Sequence, residues 1–152
     1  MNDELERLAA EVHLIDHSNE LLRLAFGLAC AIRVKHLLEN EKAKVCLSVL
    51  QSFVDGNSDQ DTLAEARELI SSVANSHRGS PSIDGSAHAA VSATYAVANA
   101  LAGRAIEAAN YAAYASVYAY GGYAVTDPSA FQEVFTWQVE KLRELSRQFS
   151  SR

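Results

Sequence analysis

Two prolines and seven glycines in 152 residues are too few to break the chain often, which leaves room for long uninterrupted helices. Two cysteines in a chain of this length make no disulfide framework. Cys30 and Cys46 both fall in apolar helical patterns and read as free, buried thiols in a reducing compartment. Lys and Arg number 13 against 19 Asp and Glu, a formal net charge of −6. That balance argues against a phosphate-backbone binder, which needs clustered cations to release counterions, so no nucleic-acid partner is expected. An acidic surface instead favours solubility, or a basic protein partner reached by electrostatic steering.

Catalytic signatures are missing too. There is no Gly-x-Ser-x-Gly, phosphate-cradling glycine loop, Cys-x-x-Cys pair or zinc-protease helix. Without a Glu-x-x-His, a ferritin-like carboxylate di-metal site is excluded. The opening MNDELERLAAEVHL is acidic where a secretory signal is basic, and it has no apolar run. Between Glu107 and Asp127 the chain is uncharged for nearly a membrane span, but Ala, Tyr, Ser and Gly make it too weakly apolar to insert. The expectation is a cytoplasmic, soluble protein with no cofactor, no membrane contact and no catalytic activity.

What is present is helical periodicity. No segment alternates with period two long enough for a strand, whereas nearly all repeat every three to four residues. A first helix is predicted at about Asp3 to Leu14, with Ser18 capping a second from Asn19 to Glu39. The second carries Leu21, Leu24, Leu28 and Ile32 beside Leu22, Ala25 and Ala29, a face wide enough to make it central. A third helix is defined by Val45, Cys46, Val49, Leu50 and Phe53 and stops at Asp55-Gly56. Ser58 and Asp61 stand at capping-box spacing before a fourth, with Leu63, Ala66, Leu69, Ile70, Val73 and Ala74 on one face.

SHRGSPSIDGS is the one clear linker, and alanine dominates from Ala87 to Ala119 beyond it. Gly103-Arg104 is the natural turn between two alanine-rich helices, although one continuous helix would cost only about 1 kcal/mol for the glycine. Asp127 and Pro128 open a last helix through Phe131, Phe135, Gln138, Leu142, Leu145 and Phe149. The fold class is therefore all-α: one domain over 1–152, a bundle of six or seven helices. Its closely packed alanine-rich helices lie at the centre or at an interface, and a loop at about 76–86 separates two halves.

On a helical wheel Ala108, Ala112, Ala115 and Ala119 form one stripe, and Tyr111, Tyr114 and Tyr118 form the next. Ala89, Ala93, Ala96, Ala100 and Gly103 repeat the rhythm in the preceding helix. Small residues at this spacing let two backbones approach closely, so the stripes are expected to face each other. The tyrosines then either flank the seam, hydroxyls at the wet rim, or offer a partner surface, where tyrosine is enriched. Arg104 and Glu107 are the only charges between Asp84 and Asp127. They are salt-bridge anchors between elements or recognition residues. Together Tyr111, Tyr114, Tyr118, Arg104 and Glu107 are the candidate partner-binding residues.

His13 and His17 with Asp16 place two imidazoles about one helical turn apart around a carboxylate, a spacing that holds a metal if further ligands come from elsewhere. The same segment also reads as a helix end. His36 lies near a helix C-terminus, His77 in the linker and His88 at the start of an alanine helix, all places where a histidine needs no chemistry.

Four pieces carry a family resemblance: LACAIRVKHLLE (Leu28 to Glu39), EAREL (Glu65 to Leu69), AHAAVSATYAVANAL (Ala87 to Leu101) and EAANYAAYASVYAY (Glu107 to Tyr120). In this order they resemble the helical immunity proteins of bacterial polymorphic-toxin systems. The resemblance implies a small cytoplasmic protein that binds and blocks a toxin, without chemistry of its own, and the acidic charge would suit a basic nuclease toxin. Two alternatives stand beside it. One is a self-assembling bundle whose alanine and tyrosine surface makes a homo-oligomer; the other is a metal-dependent helical enzyme using His13, Asp16 and His17.

Overall fold

A computed structural model describes residues 1–76, 85–121, 124 and 126–150. Among these residues the regular structure is helical, in seven α-helices packed as one bundle. They are α1 (Asp3–Glu11), α2 (Glu20–Ile32), α3 (Glu41–Val54), α4 (Gln60–Asn75), α5 (Gly85–Leu101), α6 (Ala105–Tyr120) and α7 (Gln132–Ser150). The alanine-rich segment is thus two helices. Most of the predicted linker, His77 included, lies outside the described residues, as does Gly122 after α6.

Three helices stop by one device. His13, Gly56 and Gly103 take left-handed backbone conformations, with φ of 56°, 82° and 77°. In each case the next residue's N–H reaches back to a carbonyl five positions earlier: Leu14 to Ala9 at 2.9 Å, Asn57 to Ser52 at 2.8 Å, Arg104 to Asn99 at 2.9 Å. These are Schellman closures, in which glycine is the usual left-handed residue because it has no Cβ to clash. The first helix therefore ends at Glu11, before the predicted Leu14, with a histidine holding the glycine position.

Helix starts follow capping chemistry. Asn2, Asn40 and Asp59 each accept a backbone N–H from the first turn they precede. The α4 cap is Asp59, bonded to Thr62 N–H at 2.8 Å, rather than the expected Ser58. That bond holds the Asp59 carboxyl below the usual carboxylate range. Ser18 lies inside a 3-10 turn (His17–Asn19) rather than capping α2, which follows Asn19. Asp127 caps as expected, but the turn it opens, Pro128–Phe131, is 3-10 before α7 begins.

The second helix ends at Ile32, seven residues short of the expected Glu39. Beyond the break, a 3-10 turn (Lys35–Leu37) and an extended Leu38 bury Val34 and Leu38 to 1 % and 4 % exposure. These two residues reach the core by turning, and Arg33 at the bend lays its guanidinium over the Trp137 ring, 4.4 Å from the centroid.

α2 lies centrally, against α3, α5, α6 and α7, while α5 and α6 make the most extensive pairing and α1 packs on α7. Gly27 is where α2 meets α5: a Cβ there would stand 3.1 Å from Ala100 Cα and 3.2 Å from its Cβ. Buried α2 residues include Leu22, Leu24, Phe26, Cys30 and Ala31. Leu21 and Ile32, expected on the core face, are 36 % and 42 % exposed, and Val45 and Leu69 are also exposed. A chain with this much aliphatic residue cannot bury all of it, and helices contacted on several sides divide their apolar faces between neighbours.

Polar clamps complete the frame. Gln138, buried in α7, donates to the Ala109 carbonyl of α6 at 2.8 Å and accepts from Asn2 Nδ2 at 3.1 Å. Arg67 of α4 donates to the Leu101 carbonyl, closing the end of α5, and faces Glu20 at 4.0 Å. Cys30 and Cys46 are free and buried, as expected; burial pushes both thiols up, and Cys46 Sγ donates to the Ala66 carbonyl.

Candidate protein-binding ridge

α6 is built on small residues. Ala105, Ala108, Ala109, Ala112, Ala113 and Ala115 are all buried, and so are Ala89, Ala93, Ala96 and Ala100 of α5. Only the last predicted stripe residues depart from the pattern: Ala119 is exposed, and Gly103 has left the helix to make the turn.

Two ring pairs fix the register of this seam. His88 stacks on Tyr118 with centroids 5.1 Å apart, and Tyr95 stacks on Tyr111 at 5.2 Å. The partners step seven residues forward on α5 and seven back on α6, so the helices run antiparallel with two turns between the pairs. Tyr114 lies between them in sequence. It meets Phe131 edge-on at 5.6 Å and lies 6.2 Å from Tyr118, while Phe131 touches Phe135. The rings thereby join the seam to a small second core of Ala113, Val117, Ala124, Phe131 and Val134.

Four of the five candidate residues stand on one stripe of α6: Glu107, Tyr111, Tyr114 and Tyr118 follow at steps of four and three, a ridge about 16 Å long at 1.5 Å per residue, and Arg104 stands at the N-cap just before the helix. Along it exposure changes. Arg104 and Glu107 are exposed, Tyr111 is 37 % exposed, and Tyr114 and Tyr118 are half-buried. No ion pair joins Arg104 or Glu107 to another element among the described residues. Tyr120, off the stripe, is 79 % exposed.

The charged end opens into a hollow of about 590 Å³ between α1, the α5–α6 turn and the 12–19 loop, lined by Ala9, Leu14, Ile15, Arg104, Ile106 and Glu107 among others. Ile15 is 87 % exposed at its edge. Its loop is held by side chains: Arg23 donates to the Leu14 and Asp16 carbonyls at 2.7 and 2.6 Å, and Asn19 donates to the Val12 and His13 carbonyls. Sequence reading did not find Ile15, because an isolated apolar residue in a polar loop gives no periodic signal. Arg23 and Arg67 escaped it for a related reason: a cation on a helix does not announce which carbonyl it will cap.

His13, Asp16 and His17 belong to this loop. All three are exposed, and His13 is the left-handed helix stop. Among the described residues no three His, Cys, Asp or Glu side chains gather as a metal-holding group, and no helix is long and apolar enough to cross a membrane. Comparison with known protein families, with curated proteins and with solved structures gave no match to the chain.

Proposed function

We propose that the chain is a non-catalytic protein-binding module that engages a basic protein partner along the α6 ridge. The observation that carries this reading is the ridge itself: Glu107 and the three tyrosines share one stripe, with rings held by stacking. Pre-packed aromatic rings cost little side-chain entropy on association, which is why such residues anchor protein interfaces. The Ile15 edge and the hollow beside Arg104 and Glu107 extend the same surface with a rigid apolar contact. A net charge of −6 on the whole chain favours encounter with a basic partner. The resemblance to toxin-immunity proteins names the class of partner: a basic toxin neutralised by direct binding.

The test is quantitative binding to the protein captured stoichiometrically by the tagged chain, or to the product of a toxin-like gene if one is found beside the gene for this chain. Glu107→Lys with Tyr111→Ser alters the exposed part of the ridge and is expected to weaken that complex at least tenfold. An unchanged dissociation constant, with the variant still folded by circular dichroism, would remove the ridge from the interface. A concentration-dependent dimer dissociated by the same double variant would transfer the ridge to self-assembly.

A further inference from the structure

α1 and α2 lie on one interrupted stripe. Leu5, Leu8, Val12, Ile15, Asn19 and Leu22 follow at alternating steps of three and four, the spacing of a coiled-coil seam, straight across the loop between the two helices. That loop holds no proline or glycine to end a helix. The chain nevertheless turns there, at His13, the one non-glycine residue with a positive φ among the described residues. The turn leaves Ile15 as the exposed member of the stripe, 87 % in water, while Leu5, Leu8 and Leu22 are buried.

Nothing that holds α1 in place depends on which copy of the chain supplies it. It packs on α7, buries Leu5 and Leu8, and through Asn2 donates to the Phe135 carbonyl and to Gln138 Oε1. A helix continued through 12–19 would carry α1 about 12 Å along the axis of α2, off the place it takes on its own α7 and free to enter that of another copy. The closed turn has ties of its own: Leu14 is buried, and Arg23 and Asn19 donate to the carbonyls of Val12, His13, Leu14 and Asp16. The two arrangements therefore share the α1–α7 contacts and differ at the hinge. Dilution favours the closed chain, because only the exchanged one loses the freedom of a separate molecule.

We infer that two copies of this chain exchange α1. Residues 12–19 straighten into helix, each α1 occupies the α7 seat of the other copy, and the paired hinge helices cover Val12 and Ile15. The occupant is a second copy because the seat already fits this sequence, down to the Asn2–Gln138 bond. Asn19, polar within an apolar stripe, is the kind of residue that fixes the register of such a pairing. No contact of the α6 ridge enters this exchange, so either reading can fail without the other.

The experiment uses the full chain at millimolar concentration. Size-exclusion chromatography with light scattering is expected to show a dimer that persists for hours after dilution, because α1 must leave its seat before the copies part. Amide exchange over 12–19 should be slower in that dimer than in the monomer. Ile15→Asp, exposed in the closed chain, should weaken the dimer at least tenfold and leave the thermal midpoint of the monomer in place. His13→Gly eases the left-handed turn and disfavours helix, so it should weaken the dimer at least tenfold, whereas His13→Ala should strengthen it about fivefold. Glu107→Lys with Tyr111→Ser should leave it unchanged. A chain that stays monomeric at every concentration, a dimer that parts within seconds of dilution, or His13→Gly and His13→Ala acting in the same direction would overturn the inference. A dimer lost in the Glu107 and Tyr111 double variant would overturn it too, by placing self-assembly on the α6 ridge.

Discussion

Gln138 offers the sharpest test of how the helices are tied together. It is 1 % exposed and spends both ends of its amide, donating to Ala109 and accepting from Asn2. Asn2 in turn caps α1 through the Leu5 N–H at 3.2 Å and donates to the Phe135 carbonyl at 3.3 Å. Gln138→Met keeps the length of the side chain and removes both bonds. Two buried hydrogen bonds at about 1 kcal/mol each, plus part of the desolvation cost of an under-satisfied Asn2 donor, give a loss of about 2–3 kcal/mol. At roughly 2–4 °C per kcal/mol for a chain of this size, the thermal midpoint should fall by about 5–10 °C. Asn2→Ser retains an oxygen for the cap, but its shorter side chain loses the amide N–H that donates to Gln138 and Phe135, and should cost about 2 kcal/mol. The double variant should recover about 1 kcal/mol relative to the sum, because the Asn2–Gln138 bond is then lost only once. Urea unfolding of the four proteins measures all three quantities. A Gln138→Met midpoint equal to that of the parent, or strict additivity, would refute the clamp.

Other positions carry their own expectations. Gly27→Ala should destabilise by about 1–3 kcal/mol despite alanine's better helix propensity, because the Ala100 backbone blocks the new methyl; Ala100→Gly in the same chain should restore part of the loss in thermal melts. His13→Gly should stabilise by about 1 kcal/mol, since glycine adopts the left-handed stop without strain; a lower urea midpoint would show that the histidine side chain contributes there. Arg67→Lys should cost about 1–2 kcal/mol and hasten amide exchange at the end of α5, whose Leu101 carbonyl it caps. Cys30 has its thiol pushed up by burial, so its contribution is complete below the ordinary thiol value of about 9 and is lost as pH rises above it, when only the unfolded chain ionises. Between pH 9 and 10.5 the parent should therefore lose stability relative to Cys30→Ala, by at most about 1.4 kcal/mol per pH unit; parallel curves would refute this.

The helical fold was legible because its signals are periodic or locally chemical. Asp55-Gly56 and Gly103-Arg104 mark turns by the same left-handed closure, and the alanine stripes identify a close-packed pair before any partner is known. The second helix ends earlier than its sequence pattern implies, because Arg33 to Leu38 continues an apolar helical pattern; only contacts outside the segment, such as the Trp137 ring under Arg33, distinguish a turn from another two turns of helix. The Ser58 cap missed by one residue for a similar reason, since SDQD offers several oxygens and the choice depends on the angle at which α4 leaves α3. Wheel geometry identified Tyr111, Tyr114 and Tyr118 as one edge. It could not assign their ring partners, because His88 and Phe131 arrive from other helices. Gln138 was visible as a polar residue within an apolar stripe, but its two bonding partners lie 29 and 136 positions away in the chain.

The alanine seam also decides what the ridge can be used for. Alanine side chains let α5 and α6 approach closely but bury little area each, so the apolar contact of this pair has to come partly from the rings along its edge. Tyr118 on His88 and Tyr111 on Tyr95 bridge the two helices, and Tyr114 links them to Phe131 before α7. A partner that grips these rings would therefore press on groups that already hold the helices in register. Such a contact is stiff, and binding it should raise the unfolding midpoint by mass action as well as by burying exposed ring edges. The same coupling means that removing Tyr114 or Tyr118 weakens fold and recognition together, by amounts a single binding curve cannot separate. Glu107 and Tyr111 escape much of that ambiguity: one is exposed, and the other retains 37 % of its surface in water. If substitutions there abolish binding while the midpoint of the free chain moves by less than about 1 kcal/mol, the ridge is a recognition surface. If binding and stability fall in proportion, the rings serve the seam, and the partner lies on another face.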